Sequence, residues 1–133
     1  MELSKLYEIA RENDITVDGF PMPTVKSAAI RQGEKCYVAI DPSVLCRESE
    51  ERVCLAHEIG HCETAAFYNA YSGLDNRQKH EQKARRWAIT RLVPLGQLKE
   101  AIKQGTTDLP ALAERFGVTQ EFMRDAITFY TAG

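Results

Sequence analysis

The sequence predicts an α+β fold with a short antiparallel sheet and about five helices. Two observations lead to this class. Apolar residues recur at helical spacing in several separate segments, and two short β-favouring runs flank a glycine in the first half of the chain. At 133 residues the chain has room for one compact core, so we expect residues 1–133 to form a single domain. The formal net charge of −2 argues against a strong overall attraction to nucleic acid or acidic membranes.

The N-terminal segment is amphipathic, and Leu3, Leu6 and Ile9 recur at helical spacing, which predicts a helix from about Glu2 to Glu12. This segment lacks the apolar core of a signal peptide, and no apolar run in the chain reaches the length of a membrane span. We therefore expect a cytoplasmic protein that does not contact membranes. The following stretch, DGFPMPT, contains two prolines and a glycine and is interpreted as a loop.

The runs KSAAIR and KCYVAID are separated by QGE and predict a β-hairpin with its turn at Gly33. None of the cysteines forms a C-x-x-C pair, so the sequence contains no recognisable zinc-ribbon or redox motif. In a reducing cytosol we expect free thiols. The cysteines are Cys36, Cys46, Cys54 and Cys62.

The rest of the chain is predicted to be helical. One helix runs from about Ser49 to Glu63, and a polar loop, NAYSGLDN, separates it from a second helix of about Gln78 to Leu92 that stops before Pro94. A short helix is predicted over Leu98 to Lys103. Residues 108–133 predict a pair of helices that turns at Gly117 and packs on the rest of the domain, and the run LAERFGVTQEFMRDAI within it resembles a helix-turn-helix. Thr119 is expected to cap the second of these helices.

The helix of Ser49 to Glu63 contains the run HEIGH, which suggests metal chemistry. His57 and His61 are four residues apart, so their imidazoles lie on the same helix face and can bind one ion. Glu58 is rotated around the helix, where it can accept a proton from a water that the metal makes more acidic. Two histidine ligands and a glutamate base form the HExxH arrangement of zinc hydrolases. The small Gly60 lets another helix approach this site closely.

A catalytic zinc site needs a third protein ligand and one open position. The candidates downstream of the motif are Glu63, Asp75, His80 and Glu81. Glu81 is favoured because it shares a stripe with Ala84 and Ala88, and a helix that packs through small alanines can lie close to the first. His80 is an equally good donor chemically, but it points about 100° away from Glu81 on the helix.

With these motifs the sequence resembles the ImmA/IrrE-type metallo-endopeptidases. HEIGH is followed about twenty residues later by EQKARRWAITRLVP, where that family commonly has E-x-x-A-N-x-F-A-A-x-L-L-M-P. The matching positions are Glu81, Ala84, Ala88, Leu92 and Pro94, whereas Arg85, Trp87 and Arg91 replace an asparagine, a phenylalanine and a leucine. The resemblance extends to the strand YVAIDPS and to the C-terminal run LAERFGV.

The resemblance implies a minimal zincin-like domain in which His57, His61 and Glu81 hold Zn²⁺, with Mn²⁺ as the alternative ion. Glu58 is then the general base. It further implies a site-specific cut in a protein substrate, a helix-turn-helix repressor of phage or mobile-element type. We expect an exposed edge of the CYVAI hairpin to bind an extended substrate segment by strand addition.

Other interpretations lead to different chemistry. Cys54 lies on the same stripe as the histidines, so a Cys-His-His site is conceivable, although a buried thiol is the more ordinary role of such a cysteine. Tyr68 and Tyr71 could donate to an oxyanion, but packing is the simpler role. The protein could also bind a repressor without cutting it. The C-terminal helices could bind DNA, but the helix that would enter the groove is acidic, so we expect no nucleic-acid partner. A packing pair, or a platform that docks the substrate, is the better interpretation of these helices.

Overall fold

The computed structural model describes residues 1–44, 47–65, 67 and 73–132. Six helices and three strands follow one another along these residues, and the order is α1, β1, β2, β3, α2, α3, α4, α5 and α6. The bounds are α1 Leu3–Glu12, β1 Ile15–Gly19, β2 Ser27–Gln32, β3 Lys35–Ile40, α2 Glu48–Glu63, α3 Leu74–Leu92, α4 Leu95–Lys103, α5 Leu109–Phe116 and α6 Gln120–Thr131. The predicted α+β class is confirmed.

The sheet is mixed, whereas the sequence predicted an antiparallel one. The hairpin of β2 and β3 is present and antiparallel, but β1 pairs in parallel with the other side of β3. The β1 strand also includes Asp18 and Gly19, which we had assigned to the loop. A strand this short with one buried apolar side chain, Ile15, has too weak a pattern to be recognised before its pairing with β3 is known.

Because the strand order is β1-β3-β2, the CYVAI strand lies in the middle of the sheet and is paired on both sides. Our expectation of an exposed hairpin edge therefore applies only to β2. This strand pairs with β3 from Ser27↔Ile40 to Gln32↔Lys35. Ser27, Ala28 and Ala29 are half-buried, and all three line a cavity together with residues of α2.

Helix α2 lies in the core and packs against α1, α3 and the sheet. Leu55 and Ile59 are fully buried in the main apolar cluster. Arg52 is also buried, and it donates to the Gly117 carbonyl in the turn between α5 and α6 while pairing with Glu48 at 2.8 Å. An arginine that is buried in this way needs such partners, since burial of an unpaired charge is costly. The C-terminal pair is thereby anchored to the helix that carries HEIGH.

The C-terminal pair has the turn and cap that the sequence predicts. Gly117 adopts φ +67°, a left-handed conformation that glycine tolerates best, and it ends α5. The Thr119 side chain accepts a hydrogen bond from the Phe122 amide and caps α6. Tyr130 of α6 donates to the Val93 carbonyl at 2.7 Å, which fastens α6 to the end of α3.

The cysteines differ from our expectation of free thiols. Cys36 of β3 and Cys62 of α2 form a disulfide, and their Cα atoms are 6.0 Å apart. Their separation of 26 positions concealed this proximity, which arises because the end of α2 lies against the sheet. Cys54 is a free cysteine. Cys46, Tyr68, Tyr71 and the first part of the NAYSGLDN loop lie outside the described residues.

Candidate metal centre

Helix α2 presents the two histidines as the spacing predicts. The His57 and His61 rings are one turn apart, with centroids separated by 4.9 Å and planes at 81°. The side chain of His61 is 7% exposed, whereas that of His57 is 25% exposed and faces the solvent side of the cleft. The three glutamates in the first turn of α2 suit its N-terminal dipole, so the helix is stabilised at the end away from the motif.

Helix α3 brings Glu81 to both imidazoles. Glu81 Oε2 lies 2.8 Å from His57 Nε2, and Glu81 Oε1 lies 3.1 Å from His61 Nε2. This convergence depends on Gly60, because a Cβ atom at that position would meet the carbonyl oxygen of Ala84 at 2.7 Å. Ala84 is itself fully buried against α2. The small residues at 60 and 84 thus allow the two helix backbones to approach closely.

The three side chains fit a divalent cation. One ligand atom from each of His57, His61 and Glu81 can be chosen so that all lie within 4.8 Å of one another. Two imidazole nitrogens and a carboxylate form the donor set of many catalytic zinc sites, in which a fourth position stays open. Within the described part of the chain, these three residues are the group whose ligand atoms lie this close together. The other candidate ligands are not part of the group, namely His80, Asp75, Glu63 and Cys54.

Glu58 lines the same cavity as the two histidines and contacts the edge of the sheet. Its side chain is almost fully buried, and its Oε2 accepts a hydrogen bond of 2.6 Å from Ser27 Oγ. Ser27 is the first residue of β2. The hydrogen bond therefore holds the carboxylate of Glu58 between α2 and β2.

A cleft of about 410 Å³ contains these groups, and we call it the site cleft. One wall is the β2 edge with Ser27, Ala28 and Ala29, and the opposite wall is formed by the histidines, Glu58 and Glu81. Phe67 also lines the cleft, with its ring centroid 6.2 Å from that of His61. The alanine side chains are small and take up little of the space in the cleft.

Ser27 and Phe67 line the site, although the sequence pattern did not predict them as site residues. Serine has no signature of its own at the start of a strand, and the contact with Glu58 spans 31 positions. Phe67 follows α2 in a segment with no periodic pattern. Only the packing of β2 alongside α2 could have revealed the first of these contacts.

Cys54 lies beside the site without belonging to the metal group. Burial raises the pKa of its thiol, so the group stays neutral at physiological pH. This agrees with the role of a partly buried apolar residue. Among the described residues, no helix is both long and apolar enough to cross a membrane.

The fold and the site define an α+β protein with a possible metal-binding triad that lines a cleft. The family model Peptidase_M78, described as the IrrE N-terminal-like domain, matches residues 37–128. The chain belongs to this family, which is one of metallopeptidase type and implies a protein substrate. No curated protein matches the chain. The family match begins in β3, so the β2 wall of the cleft lies before it.

Proposed function

We propose that this protein is a zinc-dependent endopeptidase that makes one site-specific cut in a repressor-like transcriptional regulator of phage or mobile-element origin. The convergence of His57, His61 and Glu81 carries the proposal, since three donors from two helices share one small volume. Family membership supports peptide-bond hydrolysis as the reaction. A transcriptional regulator is an intracellular substrate, so the proposal assigns the activity to the cytoplasm.

His57, His61 and Glu81 would hold the ion. Zinc in such a site supplies Lewis acidity, which activates water and polarises the scissile carbonyl. Glu58 acts as the general base towards the attacking water and returns the proton to the leaving nitrogen. Ser27 donates to Glu58 Oε2 and thereby keeps this carboxylate oriented towards the cleft. Mn²⁺ is the alternative ion for this donor set.

The outer edge of β2 supplies the substrate platform in this proposal. Among the described residues β2 pairs with β3 alone, so its other edge can form main-chain hydrogen bonds with an extended peptide. Strand addition would place the peptide along the wall made by Ser27, Ala28 and Ala29. The scissile bond would then lie opposite Glu58 and the metal-binding triad.

The test of the reaction is incubation of the purified protein with a repressor encoded nearby. We expect one pair of fragments from the wild type and none from Glu58→Gln. Glu63→Gln, an exposed position at the end of the same helix, is the matched control and should cleave normally. Cleavage that survives Glu58→Gln would refute the mechanism. Stable repressor binding without fragments would favour a non-cleaving regulator.

The test of the ligand set is the zinc content of the purified wild type and of Glu81→Ala. Loss of a group that merely orients a metal ligand already weakens binding by about 10–100-fold, so loss of a direct ligand should exceed that. Glu100→Ala on α4 removes an exposed carboxylate far from the site in sequence and should retain the metal. Equal zinc content in all three proteins would refute the assignment of Glu81.

A further inference from the structure

The solvent-facing side of α3 has a concentration of positive charge that the proposed chemistry does not use. Lys79, Lys83, Arg85 and Arg86 are all exposed. Within the described residues, none of these four side chains forms an ion pair with a carboxylate. The protein as a whole carries a formal charge of −2, so this local excess is opposite in sign to the net charge.

These four side chains line a cavity of about 520 Å³ between α3 and α6, which we call the cationic cavity. Helix α6 contributes Asp125, Thr128 and Phe129 to its wall. Asp125 is the one carboxylate among the described lining residues, so positive charge predominates. The Phe129 ring is 40% exposed and adds an apolar surface. The cavity therefore suits a ligand that has both negative charge and apolar side chains.

A smaller cavity of about 350 Å³, which we call the bridging cavity, lies between the cationic cavity and the site cleft and shares lining residues with both. Arg85 and Asp125 line both the bridging and the cationic cavity. Ser27 and His57 line both the bridging cavity and the site cleft. The three cavities are thus neighbours on the surface, in the order site cleft, bridging cavity and cationic cavity. The bridging cavity is lined by three carboxylates, those of Glu50, Glu121 and Asp125, so the excess of positive charge is confined to the cationic cavity.

We propose that the cationic cavity is a docking site for an acidic segment of the protein substrate, outside the segment that is cut. This inference rests on the proposed function in so far as the docked segment belongs to the substrate. Charge complementarity selects the acidic polypeptide, and the exposed ring of Phe129 favours a peptide with apolar side chains. Since exposed charges attract weakly one by one, the cluster contributes specificity and encounter rate more than affinity.

The test measures binding to the Glu58→Gln protein, which leaves the probe intact. The probe is a fluorescein-labelled peptide of alternating glutamate and phenylalanine, followed by fluorescence anisotropy at low ionic strength. Lys83→Glu combined with Arg86→Glu reverses two charges of the cavity. Lys99→Glu combined with Lys103→Glu on α4 gives the same change in net charge at exposed positions outside the cavity. Thermal melts establish that each double variant is folded.

We expect the cavity variant to bind the acidic peptide about tenfold more weakly than its parent, and the α4 variant to bind nearly as well as the parent. A matching peptide with lysine in place of glutamate should not bind. Absent binding, or an equal loss in both double variants, would overturn the proposal. Tighter binding of a single-stranded oligonucleotide of equal charge would also overturn it in favour of a nucleic-acid surface.

Cleavage provides a separate readout of the connection to the site. On a repressor that the wild type cuts, the two cavity substitutions should raise KM and leave kcat unchanged, because they do not touch the reacting groups. A fall in kcat with unchanged KM would contradict a docking role. If no repressor is cut, the proposed function fails, whereas the anisotropy result still decides whether the cavity binds acidic peptides.

Discussion

Replacement of Gly60 by alanine would test how closely α2 and α3 must pack to build the metal centre. The added Cβ would lie 2.7 Å from the Ala84 carbonyl oxygen and 3.2 Å from its Cα atom, both of which belong to the α3 backbone. A backbone atom cannot rotate away as a side chain can. The helices must therefore separate, and Glu81, one turn before Ala84, must move with α3.

The size of this effect follows from the contact. Restoring an ordinary separation of 3.4 Å requires a displacement of about 0.7 Å. Overpacking of this kind costs typically ~1–3 kcal/mol, and the higher helix propensity of alanine offsets ~1 kcal/mol. A backbone clash belongs at the upper end, so we expect a net loss of about 2 kcal/mol in the free energy of unfolding. The displacement exceeds the ~0.2 Å tolerance of metal–ligand distances, so zinc binding should weaken as well.

Urea denaturation of the metal-free protein and zinc competition with a chelator measure the two effects. Gly96→Ala is the matched control, because Gly96 also lies in an α-helix, α4, and an added Cβ there would meet no atom within 4 Å. It should stabilise the protein by up to about 1 kcal/mol and leave zinc affinity unchanged. The reasoning would be wrong if Gly60→Ala were as stable as Gly96→Ala and bound zinc like the wild type.

Three further predictions concern the supporting structure. Thr119→Ala removes the cap of α6 and should cost about 1 kcal/mol, measured by thermal unfolding; an unchanged melting temperature would contradict this. Cys36→Ser removes the disulfide between positions 26 residues apart, so chain entropy predicts a loss of about 3.5 kcal/mol in the free energy of unfolding, measured with denaturant in the absence of reductant. Dithiothreitol should cause the same loss in the wild type, and an unchanged stability would contradict the prediction. Hydrogen bonds from the backbone amides of Met22 and Ser43 lower the pKa of Asp41, because they favour its charged form. The ionised Asp41 therefore stabilises the folded protein above the unfolded pKa of about 3.9, and this stabilisation disappears as the pH falls through the folded pKa. Asp41→Asn should thus be less stable than the wild type at pH 7, with the difference shrinking in acid titrations; a constant difference would refute the linkage.

The elements of this protein that could be predicted from the sequence are those whose signal is local. The helix periodicities, the β2–β3 hairpin and the cap at Thr119 all depend on residues within a few positions of one another. The one-turn spacing of His57 and His61 is of the same kind, because an α-helix itself places both rings on one face. Helix α3 begins at Leu74, whereas the sequence predicted a start at about Gln78. The residues between these positions are mostly polar, so they showed no apolar periodicity from which the first turn could be predicted.

Features that depend on long-range packing could not be predicted in this way. The parallel pairing of β1, the Cys36–Cys62 bond and the contact of Ser27 with Glu58 each join residues at least 21 positions apart. No periodicity in one segment encodes which other segment will lie against it. Glu81 is an intermediate case, since its stripe of alanines indicated a close helix contact but could not establish its distance from the histidines.

By itself, the sequence determined that two imidazoles and a neighbouring glutamate would share one helix, because a helical repeat is a property of adjacent residues. The tertiary structure decided that the carboxylate of Glu81 reaches both rings, that β2 lines the same cleft, and that Arg85 of α3 borders a neighbouring cavity together with His57. The physical reason is that these relations depend on how closely separate elements pack, which at Gly60 and Ala84 is set by the absence of side-chain volume.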